Sequence, residues 1–281
     1  MKRGLSKAGL GEVEDILFIT KAAEYGFEAV DLDAKGLIDH VGLSEAQSIL
    51  EQHQISVGAI GLNVEWRKSD EEFQKGLLEL ASYASAARSL GCKVCCTYIL
   101  PSTDDKPAAF MARAVKRLRI CAEVLGTYGI TLALEFVGPH HLRSTWSYPF
   151  IWTMNETLEM IDAMGVTNAG LLIDSYHCHT TGLSGAELGQ LNSSQIAYVH
   201  INDAYDKPVD QLLDNDRLYT GEGVIDLSDF VQSLQAAGYN GVVSQEVLTS
   251  ALPTESLDQL LEKSKAGFDH VFGKISYTTK N

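Results

Sequence analysis

The chain has 281 residues, 45% hydrophobic and 21% charged, which is ample material for a buried core. Its 22 Lys and Arg stand against 37 Asp and Glu, a formal charge of −15; nucleic-acid and anionic-membrane partners call for clustered cations and are therefore excluded as expectations. No apolar run approaches the roughly 18–20 residues of a membrane span, and Met1-Lys2-Arg3-Gly4-Leu5 lacks the apolar stretch of a signal peptide, so cytoplasm is the expected compartment.

A β-like run at 2–6 leads into a helix over 12–25, where Val13, Ile16, Leu17, Thr20 and Ala23 share one face before Gly26 stops it. Strand candidates follow at 27–32 and 55–60, the second a dense apolar run, Ile55-Ser56-Val57-Gly58-Ala59-Ile60. Ser69-Asp70-Glu71-Glu72 is a capping box; it opens a helix whose Phe73, Leu77, Leu80, Ala84 and Ala87 recur at helical spacing up to Gly91. Beyond a strand at 93–99, Pro107 suits the first turn of a helix that carries Phe110, Ala114, Leu118, Cys121 and Leu125 inward as far as Gly129. Strands at 130–136, 169–174, 196–202 and 241–247 complete the set. Thr153 with Glu156 and Ser184 with Glu187 repeat the capping signature; Leu227, Phe230, Val231 and Leu234 mark a seventh helix, and Leu257, Leu260, Leu261 and Phe268 an eighth.

Strands this apolar read as parallel strands covered by helices on the outside. Eight of them alternating strictly with eight helices predict a closed (β/α)8 TIM barrel of the α/β class, a single domain over 1–281. An open doubly wound sheet usually carries a Gly-rich turn after an early strand, and no G-x-G-x-x-G occurs. Five cysteines (Cys92, Cys95, Cys96, Cys121, Cys178) are odd in number and unevenly spread. Cys92-Lys93-Val94-Cys95 has redox-pair spacing but enters a strand rather than opening a helix, so these are expected to be buried structural thiols.

Barrel strands are core, so an ionisable residue at a strand's C-terminal end needs a reason. Each of the last four strands has one: Glu135 after Leu132-Ala133-Leu134, Asp174 after Leu171-Leu172-Ile173, His200 after Ala197-Tyr198-Val199, and Glu246 after Val243-Ser244-Gln245. All four project at the catalytic rim, within reach of one point. Three carboxylates gathered there need a counter-charge, or desolvation and repulsion would protonate at least one. A divalent cation supplies it, and three carboxylates with one imidazole suit Mn²⁺, Co²⁺ or Mg²⁺ better than a thiolate-rich zinc site does. His177, just beyond Asp174, reads as a partner of the metal shell or of a substrate hydroxyl. Arg217, in the acidic loop after strand 7, reaches the substrate or forms a surface ion pair. Trp66 offers an apolar platform to a sugar face or simply packs.

At these residues the sequence resembles the xylose-isomerase-like TIM-barrel superfamily of sugar-phosphate isomerases and epimerases, which includes tagatose and allulose 3-epimerases, inosose isomerases and endonuclease-IV-like enzymes. The segments that carry the resemblance are Leu134-Glu135-Phe136-Val137-Gly138-Pro139, Leu172-Ile173-Asp174-Ser175-Tyr176-His177, Val199-His200-Ile201-Asn202-Asp203, Asp216-Arg217 to Gly223, and Ser244-Gln245-Glu246-Val247, with Asn63-Val64-Glu65-Trp66-Arg67 after strand 3. The resemblance implies that Glu135, Asp174, His200 and Glu246 ligate one metal, usually Mn²⁺, with Co²⁺, Mg²⁺ or Zn²⁺ as substitutes. It also implies that Glu135 and Glu246 double as acid and base, and that His177 and Arg217 contact substrate oxygens. The three-zinc ligand set of the endonuclease branch cannot be placed here, and a −15 chain repels DNA.

The expected activity is isomerisation or epimerisation of a ketose or keto-polyol, by proton transfer through an enediolate that the cation stabilises. A dehydratase or lyase acting on a keto-polyol such as an inosose shares that intermediate. A non-catalytic sugar-binding barrel is the alternative from another class, and a missing ligand would have favoured it. The expected partner is a small sugar or cyclitol, with a homo-oligomer compatible.

Overall fold

A computed structural model of the chain describes residues 1–273. Its strands are β1 (Lys2–Leu5), β2 (Ala29–Val30), β3 (Ser56–Val57), β4 (Ile60–Gly61), β5 (Val94–Ile99), β6 (Ser102–Thr103), β7 (Thr131–Phe136), β8 (Tyr148–Pro149), β9 (Ala169–Asp174), β10 (Ile196–Ile201) and β11 (Val242–Gln245). Nine of them form one parallel sheet in the order β3-β2-β1-β11-β10-β9-β7-β5-β4. The two ends of that order are consecutive in the chain: β3 pairs with β2 and β4 with β5. They are two halves of the expected third strand, so the sheet returns on itself as a TIM barrel with a seam at Gly58-Ala59.

The seam has a steric reason. A Cβ at residue 58 would lie 2.3 Å from Tyr198 Oη and 2.6 Å from Asp31 Oδ1, so only glycine leaves those two side chains room. The break also releases a backbone donor, since Ala59 N–H bonds Asp31 Oδ1 at 3.0 Å instead of a neighbouring strand.

The helices are α1 (Asp15–Glu24), α2 (Ala34–Val41), α3 (Leu43–His53), α4 (Asp70–Ser89), α5 (Pro107–Thr127), α6 (Met154–Met164), α7 (Ser175–Thr181), α8 (Gly185–Leu188), α9 (Leu227–Ala236) and α10 (Leu257–Gly273). The capping boxes at Ser69–Glu72, Thr153–Glu156 and Ser184–Glu187 all form, and Pro107 starts α5. Two departures stand out. Between β2 and β3, α2 and α3 are separated by Gly42 at φ 86°, a left-handed position where glycine is favoured. After β9 the chain turns helical at once, because Asp174 itself caps α7; the Ser184 box opens only the four-residue α8. The antiparallel pair β6–β8 lies outside the barrel and has too few residues to show a period in the sequence.

Most of the core lies between sheet and helices, where Phe18, Leu80, Leu118, Leu171 and Phe268 are fully buried. A second, smaller cluster of Ala59, Ala133, Leu172 and Tyr198 is separate from that layer and fills the barrel interior. All five cysteines are free, and burial pushes the Cys92 thiol up to about 11, so the Cys92/Cys95 pair is structural. Among the described residues no helix is long and apolar enough to cross a membrane.

Candidate metal centre

Side chains two apart on a strand share a face, and this sets the site directly above the interior cluster. Ala133 and Leu172 each stand two residues before a carboxylate, Glu135 and Asp174, and Tyr198 stands two before His200. Strand register levels the rest: His200 pairs with Asp174 on one side and with Ser244 on the other, and Glu246 follows Ser244 by two. The result is one ligand atom from each of Glu135, Asp174, His200 and Glu246, all within 4.8 Å of one another. His200 Nδ1 lies 3.4 Å from Glu246 Oε2 and 3.6 Å from Glu135 Oε1.

The donor set fits a divalent cation. Glu135 Oε1 and His200 Nδ1 are buried and have no hydrogen-bond partner among the described residues, a costly condition that a cation between them would relieve. Burial raises the Glu135 pKa. Burial alone would raise Glu246 too, but charged His200 and Arg217 hold it down, to about 2. Burial opposes a charged His200, yet Glu246 and Glu135 outweigh it and carry the imidazole well above its ordinary pKa. A proton and a metal thus compete for the same ring.

The other carboxylate is rigidly held. Asp174 Oδ1 caps α7 through the Tyr176 and His177 amides at 2.7 and 3.1 Å, and Oδ2 accepts from Asn202 Nδ2 at 2.9 Å and Arg217 Nη1 at 3.1 Å. Asn202, which sequence reasoning quoted within a segment but gave no role, also donates to the Glu246 carbonyl at 3.0 Å.

His177 and Arg217 reach this cluster, but from within the protein. His177 Nδ1 accepts from the Gly138 amide at 3.3 Å, and its Nε2 lies 3.4 Å from Arg217 Nη2, 3.8 Å from Glu135 Oε1 and 3.9 Å from Asp214 Oδ1. Arg217 is buried against Asp174, Glu246 (3.3 Å) and Asp214 (2.7 Å), so it is the resident counter-ion of the acidic group rather than a surface ion pair. Trp66 does not reach the site surface. It is 1% exposed, stacks on Phe110 and donates to Thr97 Oγ1, while the Arg67 guanidinium covers its ring at 4.6 Å. The cavity wall there is formed by Arg67 and Tyr98.

Two lobes of about 460 and 420 Å³ meet over His200 and Glu246. One is lined by Asp31, Asp33, Lys35 and Tyr83, the other by Glu65, Arg67, Tyr98 and Glu135. Space of this size, with a few charged side chains set among apolar wall residues such as Leu32, Ile60 and Leu62, suits a small polyhydroxylated molecule. Sequence reasoning also missed Asp31, although it carries the same mark as the ligands, an acidic residue near the C-terminal end of an apolar strand.

The chain belongs to the xylose isomerase-like TIM barrel family, whose model it matches over residues 19–267. An inosose isomerase of Bacillus velezensis is 28% identical over 244 residues, 85% of this chain and 83% of that protein. A ketose 3-epimerase of Arthrobacter globiformis is 24% identical over 269 residues, 92% of this chain and 86% of its own length. Among solved structures, a xylose isomerase domain protein from Alicyclobacillus acidocaldarius superposes with a TM-score of 0.90 at 28% identity, over 97% of this chain and 98% of that one. A zinc-bound IOLI protein superposes at 0.83 with 22% identity, covering 99% of this chain and 100% of that one, and shares the fold.

Proposed function

We propose that this protein is a divalent-metal-dependent isomerase or epimerase of a ketose or keto-polyol, with the metal held by Glu135, Asp174, His200 and Glu246. The observation that carries the proposal is the convergence of those four ligand atoms within 4.8 Å at the barrel mouth. The curated relatives support the substrate class, being named an inosose isomerase and a ketose 3-epimerase. Mn²⁺ is the proposed native ion, with Co²⁺, Mg²⁺ or Zn²⁺ as substitutes, because the donor set is oxygen-rich with a single imidazole.

When bound, such a cation supplies the positive charge that polarises a substrate carbonyl and acidifies the neighbouring C–H. The chain's own groups do the rest. Glu135 and Glu246 stand at the same centre, so one takes the proton from the carbon beside the carbonyl and the other returns a proton. Return to that carbon from the opposite face inverts it, and return to its neighbour isomerises the sugar. His177 and Arg217 fix the positions of Glu135 and Glu246 and contribute to substrate orientation.

Turnover in deuterated water tests the scheme. Deuterium is expected at the carbon next to the carbonyl, and Glu135→Gln or Glu246→Gln should each lower interconversion by roughly 10²–10⁴-fold. Complete retention of the substrate hydrogen in the product would refute proton transfer and point to a hydride shift.

A further inference from the structure

Asp31 has a built environment that the reaction scheme leaves unused. Its side chain is 15% exposed and accepts three hydrogen bonds, from the Tyr198 hydroxyl and the Ala59 amide (3.0 Å) on Oδ1 and from Ser244 Oγ (2.6 Å) on Oδ2. The donors come from β10, from the seam between β3 and β4, and from β11, while Asp31 itself follows β2. Such anchoring fixes the carboxylate in one orientation, and in that orientation Oδ2 stands 3.8 Å from His200 Nε2. Tyr198 completes the support: its ring meets the His200 ring edge-on at 5.6 Å.

An imidazole has two nitrogens and can offer either one to a cation; the choice follows from what the other nitrogen faces. On His200, Nδ1 faces the two glutamates and Nε2 faces Asp31. A ring turned over about Cβ–Cγ would bring the Cδ2–H toward the glutamates and leave the Asp31 carboxylate facing Cε1, so that neither nitrogen keeps its partner. At 3.8 Å the attraction is electrostatic rather than a formed hydrogen bond, and burial of both groups strengthens it.

We propose that Asp31 is a positioning residue that holds His200 with Nε2–H toward itself, so that Nδ1 is the nitrogen presented to the metal. This rests on the metal-centre reading above. Asp31 touches neither metal nor reacting atoms in this role and acts through the ring. Tyr198, Ser244 and the seam amide act one step further out by holding Asp31.

The test titrates the metal-free full-length protein with Mn²⁺ by calorimetry, for wild type and Asp31→Asn. The variant keeps the size of the side chain and an acceptor for Tyr198. The expected result is about 10–100-fold weaker Mn²⁺ binding, the loss typical when a ligand histidine loses its orienting partner. A second readout is the ¹⁵N spectrum of the Zn²⁺-loaded protein. Wild type should show a metal-bound Nδ1 and a protonated Nε2 on His200, and Asp31→Asn should lose that distinction. Either readout staying at its wild-type value overturns the proposal; weaker binding with an unchanged ring would mean that Asp31 acts through charge alone. Should Asp31→Asn fail to fold by circular dichroism, Tyr198→Phe and Ser244→Ala carry the test. Each leaves Asp31 in place with one anchor fewer, a smaller loss of affinity is expected, and wild-type affinity in both overturns the proposal. If wild type itself binds no Mn²⁺, the metal reading has failed, and this inference with it.

Discussion

Replacing Asn202 by alanine should weaken the protein more than any surface feature of the residue foretells. Asn202 is fully buried, and its amide ties two of the four ligand strands together, donating to Asp174 Oδ2 at 2.9 Å and to the Glu246 carbonyl at 3.0 Å. The bond to a carboxylate is worth about 1.5–3 kcal/mol, and a buried carbonyl deprived of its donor costs about 1–3 kcal/mol. With some relaxation between them, Asn202→Ala should lose about 3–5 kcal/mol. Urea unfolding of the metal-free protein measures it, given a midpoint shift without a change in slope. Asn202→Asp makes a sharper companion, because it puts a second carboxylate where the amide now bonds Asp174. That variant should be less stable than Asn202→Ala without metal and should recover more on adding Mn²⁺, as the added charge is neutralised. A loss below about 1 kcal/mol for Asn202→Ala would show that Asn202 does not brace the ligand set and would refute the reasoning.

Further outcomes follow from the same geometry. Exhaustive chelation should abolish activity and leave the barrel folded, with Mn²⁺ or Co²⁺ restoring turnover; full-rate turnover by metal-free protein would disprove the site. Without metal, His200 has a raised pKa, so its contribution to stability is complete below pH 6.5 and is lost as pH rises through the folded-state value. Denaturation midpoints of metal-free wild type and His200→Gln across that range test this, since the variant should lack the alkaline decline. Gly58→Ala should cost about 1–3 kcal/mol by overpacking, because its Cβ would sit 2.3 Å from Tyr198 Oη; a variant with wild-type unfolding would show that the seam has slack. Finally, free sugars should be preferred over sugar phosphates. The loop after β10 carries Asp206, Asp210, Asp214, Asp216 and Glu222, while Arg217 is bound by carboxylates and Arg143 by the Gly138 and Thr180 carbonyls. A higher kcat/KM for the phosphate ester would contradict this.

The barrel and its rim were legible in the sequence because both rest on local periodicity. An apolar run marks a strand, a capping box marks a helix, and an acid or histidine that closes an apolar run marks the mouth. Glu135, Asp174, His200 and Glu246 follow that logic, and the structure brings them to one point. Asp31 follows it as well and was passed over, because Leu32 after it continues the apolar run and hides the strand end. Contacts made across strands left no such trace. The Asn202 bond to Asp174 spans 28 residues and the Tyr198 bond to Asp31 spans 167, and neither partner's sequence neighbourhood points to the other. For Trp66 the sequence leaves a sugar platform and simple packing open, and its burial favours packing. Arg67 lies over its ring, so the exposed face belongs to the next residue.

The interrupted third strand bears on how portable this chemistry is. By giving up a ladder bond at Ala59, the barrel spends one of its own amides on Asp31, and Gly58 keeps the space open for it. If His200 is the metal ligand and Asp31 orients it as proposed, closure of the barrel and orientation of that histidine draw on the same few atoms. A design that copied only the four ligand side chains onto another eight-stranded barrel would inherit an unbroken third strand and a histidine free to turn. Transplanting the centre means transplanting the flaw in the sheet along with it.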